Sequence, residues 1–197
     1  MTVRTRNNPP SAIRHPPSRG RRAAGFTLIE AALTTVIVGT GVLAIISAQQ
    51  AYHMKNNWAT RTTTAMLLAN EMRELTLGLP LHDPITGETS YGPEADEASV
   101  VAFDDLDDFA GVVTSGAGAG TEFSPPINAL RGEIDDLDGW TQRVTVESVL
   151  PDYIDAAFSQ PMGSTDVMRV TVDVFYQPPA KAVREPITRL TWIVTDR

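Results

Sequence analysis

The chain has 197 residues, enough for one modest domain with accessory segments, and no cysteine, which excludes a disulfide framework, a thiolate zinc site and a cysteine nucleophile. Its net charge of −8 is unevenly spread: residues 1–25 hold Arg4, Arg6, Arg14, Arg19, Arg21 and Arg22 and no acid, so the remainder carries −14, the total less the leader's +6. Acid on that scale repels a phosphate backbone, so no nucleic-acid partner is expected for the C-terminal part.

Residues 1–25, rich in Pro, Arg, Asn and Ser, offer almost nothing to a core and read as a disordered basic leader. From Phe26 to Ala48 run 23 residues with a single charge, Glu30. As a helix that segment spans about 34 Å, more than the hydrocarbon thickness of about 30 Å, and it reads as transmembrane over 26–48. Thr34, Thr35, Gly39, Thr40, Gly41 and Ser47 interrupt its apolar character. A secretory signal fits less well, because its apolar region is about 7–15 residues long and ends in a small-residue cleavage site. The arginines put the N-terminus in the cytoplasm and the acidic remainder outside. A carboxylate in lipid costs about 2.5–3.5 kcal/mol on insertion scales, so Glu30 needs a cation at its own depth. Its plainer role is an acid favoured at the positive end of a helix.

Arg21-Arg22, then Gly25-Phe26-Thr27-Leu28-Ile29-Glu30 and a long apolar helix, resemble the processing site of type IV prepilins and type II secretion pseudopilins. In that family a membrane-embedded aspartyl protease, the prepilin peptidase, cuts after the glycine and methylates the new amino group. The resemblance implies cleavage between Gly25 and Phe26, N-methylation of Phe26 and a mature chain of 172 residues (197 less 25). A glycine suits the cut because a backbone without a side chain enters a narrow protease site in an extended form. The resemblance also implies that Glu30 pairs with the amine of a neighbouring subunit's first residue and sets assembly register. Other pilin or pseudopilin subunits and an inner-membrane assembly platform are then partners. The location is the bacterial inner membrane, single-pass with a periplasmic C-terminal domain, and afterwards the filament.

Beyond the span the pattern becomes amphipathic. Ala65, Leu68, Met72, Leu75 and Leu79 recur at 3/4 spacing, while Lys55, Arg61, Asn70, Arg73 and Glu74 fall mostly elsewhere. One helix over 26–79, closed by Gly78 and Pro80, is expected. Gly39-Thr40-Gly41 is its weak point: each glycine costs about 1 kcal/mol against alanine, and either local melting or close packing of small residues accounts for it.

Residues 80–197 form the expected exported domain. The stretch 80–140 is rich in Gly, Pro and Asp, and TSGAGAGTEFSPP reads as a flexible loop. Two acidic phrases stand in it: Asp104, Asp105, Asp107 and Asp108, then Asp135, Asp136 and Asp138. Their oxygens have the chemistry to hold Ca²⁺. Neither matches the spaced calcium-loop pattern, and Asp is also the ordinary turn and capping residue, so solvated turns are the preferred reading. In 141–197, Val144, Val146 and Val149, then alternating Val170, Val172 and Val174, then Leu190, Trp192 and Val194 give strand signals for a sheet of three or four antiparallel strands, with QPPAKAVREP as a loop kept out of the sheet by its prolines. Trp140 and Trp192 are expected to fill the core.

An α+β fold follows, with a long N-terminal helix packed through its upper half on a small antiparallel sheet, as in pilins. The phrase LLANEMRELTLG with three late strands is most similar to minor pseudopilin I or the related minor pilins. His15, His53 and His82 stand apart in sequence, no hydrolase or phosphate-loop motif occurs, and neither enzymatic activity nor a cofactor is expected, Ca²⁺ being the one candidate. Two other functions compete with a structural filament subunit. A filament-tip adhesin would use the 80–140 loops, whose deletion should then spare assembly. A plain membrane anchor would leave the N-terminus uncut.

Overall fold

A computed structural model describes residues 25–83, 91–114, 117–155 and 157–195. The arginines of the leader and His15 lie outside the described residues. The chain divides into two units, residues 1–50 and 51–197.

In the first unit the helix α1 (Leu28–Thr76) begins after Thr27. The Glu30 N–H donates to the Thr27 hydroxyl at 3.3 Å, which satisfies one of the donors that a helix start leaves open, and the Thr27 carbonyl accepts the first intrahelical bond, from the Ala31 N–H at 3.1 Å. Polar residues inside the apolar run turn their hydroxyls back onto the helix. Thr34 donates to the Glu30 carbonyl at 2.7 Å, Thr35 to Ala31 at 2.9 Å and Ser47 to Leu43 at 2.9 Å. Such internal bonding lets a hydroxyl sit in lipid without an unmet donor. The helix is long and apolar enough to cross a membrane, and every side chain from Gly25 to Gln50 is exposed. It runs unbroken through Gly39-Thr40-Gly41, and a Cβ added at either glycine would meet nothing within 4 Å.

In the second unit α1 buries Ala65, Leu68, Ala69, Met72, Leu75 and Thr76. The predicted 3/4 stripe is therefore the face that packs as far as Leu75, while Leu79 lies half-buried in the turn beyond the helix end at Thr76. Against it lies a four-stranded antiparallel meander in the order β3 (Thr121–Phe123), β4 (Trp140–Ser148), β5 (Val167–Tyr176) and β6 (Glu185–Thr195). Val144 opposes Val172, which opposes Leu190, and Val146 opposes Val170, which opposes Trp192. Strand alternation turns this set to one face, where Val144, Val146, Val170, Val172 and Val174 are fully buried with Trp140 and Trp192. An α+β layout with one long apolar N-terminal helix and a small antiparallel sheet is the result.

Three expectations are corrected. The TEF of the predicted flexible loop is strand β3, and β1 (Val113–Thr114) with β2 (Ala117–Gly118) makes a small hairpin before it. The glycines there permit close approach: a Cβ on Gly120 would lie 2.7 Å from the Val144 carbonyl, and Gly120 has φ +81°. Pro186 is inside β6, opposite Phe175, at a register shift between Val174 and Phe175. β6 is the edge of the sheet, where a missing N–H is tolerated. Finally, 80–140 supplies core, since Leu81, Phe103, Leu106, Phe109, Ala110 and Ile127 are buried. Deleting it would remove part of the hydrophobic core rather than a detachable loop.

Candidate functional site

Gly25, Phe26 and Glu30 occupy the start of α1 and its approach. Gly25 has open space around it, and Phe26 is 76 % exposed. Glu30 stands at the third helical position, where its charge favours the helix dipole and its N–H is capped by Thr27. Among the described residues no Lys, Arg or His lies within ion-pair distance of its carboxylate. The plain capping role thus accounts for the position's backbone and leaves the side-chain charge unmatched.

The first acidic phrase folds into the second unit's interior. Leu106 and Phe109, three residues apart, are both fully buried, and the 3₁₀ helix Asp107–Ala110 that carries Phe109 draws its acidic neighbours inward. Asp105 and Asp107 are 1 % exposed and Asp108 0 %, so the solvated-turn expectation fails for these three, while Asp104 is exposed. Burial of carboxylates requires donors. Asp105 Oδ1 accepts the N–H of Asp107 at 2.9 Å and of Asp108 at 3.1 Å. Asp108 Oδ2 accepts the N–H of Asp104 at 3.0 Å and of Asp105 at 3.3 Å. Asp107 Oδ1 accepts the Gly92 N–H at 3.1 Å, and its Oδ2 lies 2.8 Å from His82 Nδ1, so His82 has a partner that its sequence neighbourhood does not announce.

Glu94 and Glu97 join this group. The Glu94 N–H donates to Glu97 Oε2 at 3.2 Å. One carboxylate oxygen from each of Glu94, Glu97 and Asp108 lies within 4.8 Å of the others, and the same holds for Asp104, Asp105 and Asp108. Burial pushes Asp105 up to about 8, helped by the Asp107 charge, and burial pushes Asp108 up to about 8, helped by its hydrogen bond with Glu97. Hydrogen bonding to Glu97, then burial, raises Glu94 to about 7. Burial works against the Glu97 charge, but hydrogen bonds from Asp108 and Glu94 outweigh it and hold Glu97 below its ordinary value. Burial and the charges of Asp83, Glu97 and Asp96 raise Asp104. Burial and mutual repulsion thus disfavour the charged forms of Asp105, Asp108 and Glu94.

Asp135, Asp136 and Asp138 behave differently. All three are exposed, Asp136 has φ +60°, and none belongs to an acidic group close enough to share an ion among the described residues. They shape the turn into β4, as expected of solvated aspartates. Sequence reading missed Glu94 and Glu97. No local signal separated the two phrases, since DDLDDF and DDLDGW both carry large apolar residues at i and i+3, and only the fold buries the acids of the first. Compared with protein families, curated proteins and solved structures, the chain matches none.

Proposed function

We propose that the chain is a structural subunit, a minor pilin or pseudopilin, of a type IV pilus or type II secretion filament. Prepilin peptidase cuts it after Gly25 and methylates Phe26, and it then assembles through α1. The observation that carries this reading is Gly25-Phe26 followed by Glu30 at the start of an apolar helix whose side chains are exposed as far as Gln50. A helix so exposed needs lipid or other helices around it. A carboxylate with no cation beside it among the described residues is matched in that setting by a partner from another molecule, and the amine created on Phe26 of an adjacent subunit supplies one. Lipid holds the subunit in the inner membrane until that pairing forms. Helix packing then replaces lipid contacts as the assembly platform adds the subunit to the filament.

The test is intact mass and N-terminal sequencing after co-expression with a prepilin peptidase. The expected product begins at N-methyl-Phe26, and Gly25→Leu is expected to stay uncut. Glu30→Val should be cut normally yet enter sheared filaments at least about tenfold less well, the loss expected for roughly 1.4 kcal/mol of pairing. A wild-type chain still beginning at Met1, with the peptidase active on a control prepilin, overturns the reading and leaves a plain membrane anchor.

A further inference from the structure

The stretch of α1 between the apolar run and the packing stripe serves no contact of the core. Residues 51–60 are all exposed, with Tyr52 at 69 %, Met54 at 73 % and Trp58 at 67 %, and the buried stripe begins only at Ala65. Its side chains are nevertheless ordered in kind. Tyr52, Lys55, Trp58 and Arg61 alternate aromatic and cation every three residues, so each neighbours the next along one ridge of the helix. Arg61, the last of the row, is engaged: its guanidinium carbon lies 4.5 Å from the centre of the Tyr176 ring, which packs on Trp140 at 4.9 Å. Lys55 has no carboxylate within ion-pair distance among the described residues, and Tyr52 meets the His53 ring edge-on with centres 6.2 Å apart. Charge is sorted at the same place. Between Glu30 and Glu71 the charged residues of α1 are Lys55 and Arg61, both basic, whereas residues 71–197 carry −15, the −14 beyond residue 25 less the +1 summed over Glu30, Lys55 and Arg61.

We propose that Tyr52, Lys55 and Trp58 form a seat for anionic phospholipid headgroups, with Lys55 on the phosphate and a ring on either side of it, and that Arg61 ties the row to the sheet through Tyr176. Charge selects the occupant: an anionic surface repels the acidic remainder of the chain and attracts this stretch. Sequence selects a lipid surface over an acidic protein. Tyr52 follows the apolar run 26–48 by four residues, and Tyr and Trp beside Lys is the composition of a boundary between hydrocarbon and water, where basic side chains are drawn to acidic lipid. The seat rests on α1 crossing a membrane, as the filament reading does, but on neither cleavage nor assembly. Acidic lipid then holds the domain at a surface that otherwise repels it, and a subunit that leaves the bilayer for a filament gives up that contact.

Acrylamide quenching of tryptophan fluorescence tests it, with the full-length chain reconstituted in phosphatidylcholine vesicles with or without about 30 % phosphatidylglycerol. Trp140 and Trp192 are 7 % and 9 % exposed, so the quenchable signal is that of Trp58. Its quenching constant should fall about twofold with phosphatidylglycerol, and the difference should vanish in about 0.5 M NaCl, where the screening length is about 4 Å. The arginines of residues 1–25 also attract acidic lipid, so Lys55→Gln is the decisive variant. It should lose the difference, while Lys181→Gln, which removes a lysine already paired with Glu185, should keep it. Equal quenching in the two lipids, or a difference that survives Lys55→Gln, overturns the seat and leaves the anchor standing. Protection of Trp58 that follows the protein-to-lipid ratio instead of lipid charge also overturns it, and makes the occupant a second copy. A chain that floats with neither vesicle overturns the anchor and the seat together.

Discussion

Gln142 lies fully buried on β4, in line with Val144 and Val146, and both polar atoms of its amide are hydrogen-bonded. Its Oε1 accepts the Ile127 N–H at 2.8 Å, while Nε2 donates to the Leu68 carbonyl of α1 at 2.8 Å and to the Ile127 carbonyl at 3.1 Å. One side chain therefore joins helix, sheet and the 127 loop in a region where water cannot substitute. Replacing it with leucine keeps the volume but leaves the Ile127 N–H without an acceptor. Gln142→Leu is expected to lower unfolding stability by about 2–3 kcal/mol, the sum of a lost hydrogen-bond set and a stranded donor. Urea denaturation reads this as a lower midpoint at unchanged slope. A loss below about 1 kcal/mol would mean that the amide is not the tie described. Glu30 shows the opposite case at the same scale, with its N–H matched by Thr27 and its charge matched by nothing described in the chain.

At the scale of elements, α1 carries two glycines that contacts within the chain do not require. Gly39 and Gly41 have open space where a Cβ would stand, and each costs a helix about 1 kcal/mol relative to alanine. A cost with no return inside the subunit points to a neighbour, through close helix packing or local unwinding in the filament. Replacing both with alanine is expected to raise helicity by circular dichroism, to leave the melting of the 51–197 unit within about 1 °C, and to reduce filament incorporation. Normal incorporation would remove any assembly role for the pair. Helix and sheet were legible in sequence for a common reason: Ala65, Leu68, Met72 and Leu75 repeat at one period, and Val170, Val172 and Val174 at another, and each period aims side chains at one surface. The stretch 80–140 has no period. Asp105 and Asp108 are chemically the same as Asp135 and Asp138, and only the tertiary burial of Leu106 and Phe109 separates them. Glu94 and Glu97 entered the cluster by loop closure, which has no local signature. Three residues of β3 were too few to show alternation.

At the scale of the whole molecule, the distribution of buried residues predicts which pieces fold. Among the described residues all of the core lies at or beyond Ala65, and residues 25–50 bury nothing. The fragment 51–197 keeps the α1 stripe, Met72 with its zero exposure, the Leu68 carbonyl that receives Gln142, and Glu71, whose carboxylate accepts the Ala129 N–H at 2.8 Å. It should be soluble without detergent, since it sheds the exposed apolar run and retains most of the acid. Its urea unfolding should be a single transition, within about 1 kcal/mol of the corresponding transition in the full chain. A fragment beginning at Gly78 loses Ala65, Leu68, Ala69, Met72 and Leu75 together, and each large one removed from a packed core costs about 2–5 kcal/mol, so the total exceeds the usual stability of a domain. That fragment should show no cooperative transition. If 78–197 unfolds cooperatively, the upper helix is an ornament on an independent sheet; if 51–197 fails, residues 25–50 support the fold through contacts absent from this structure.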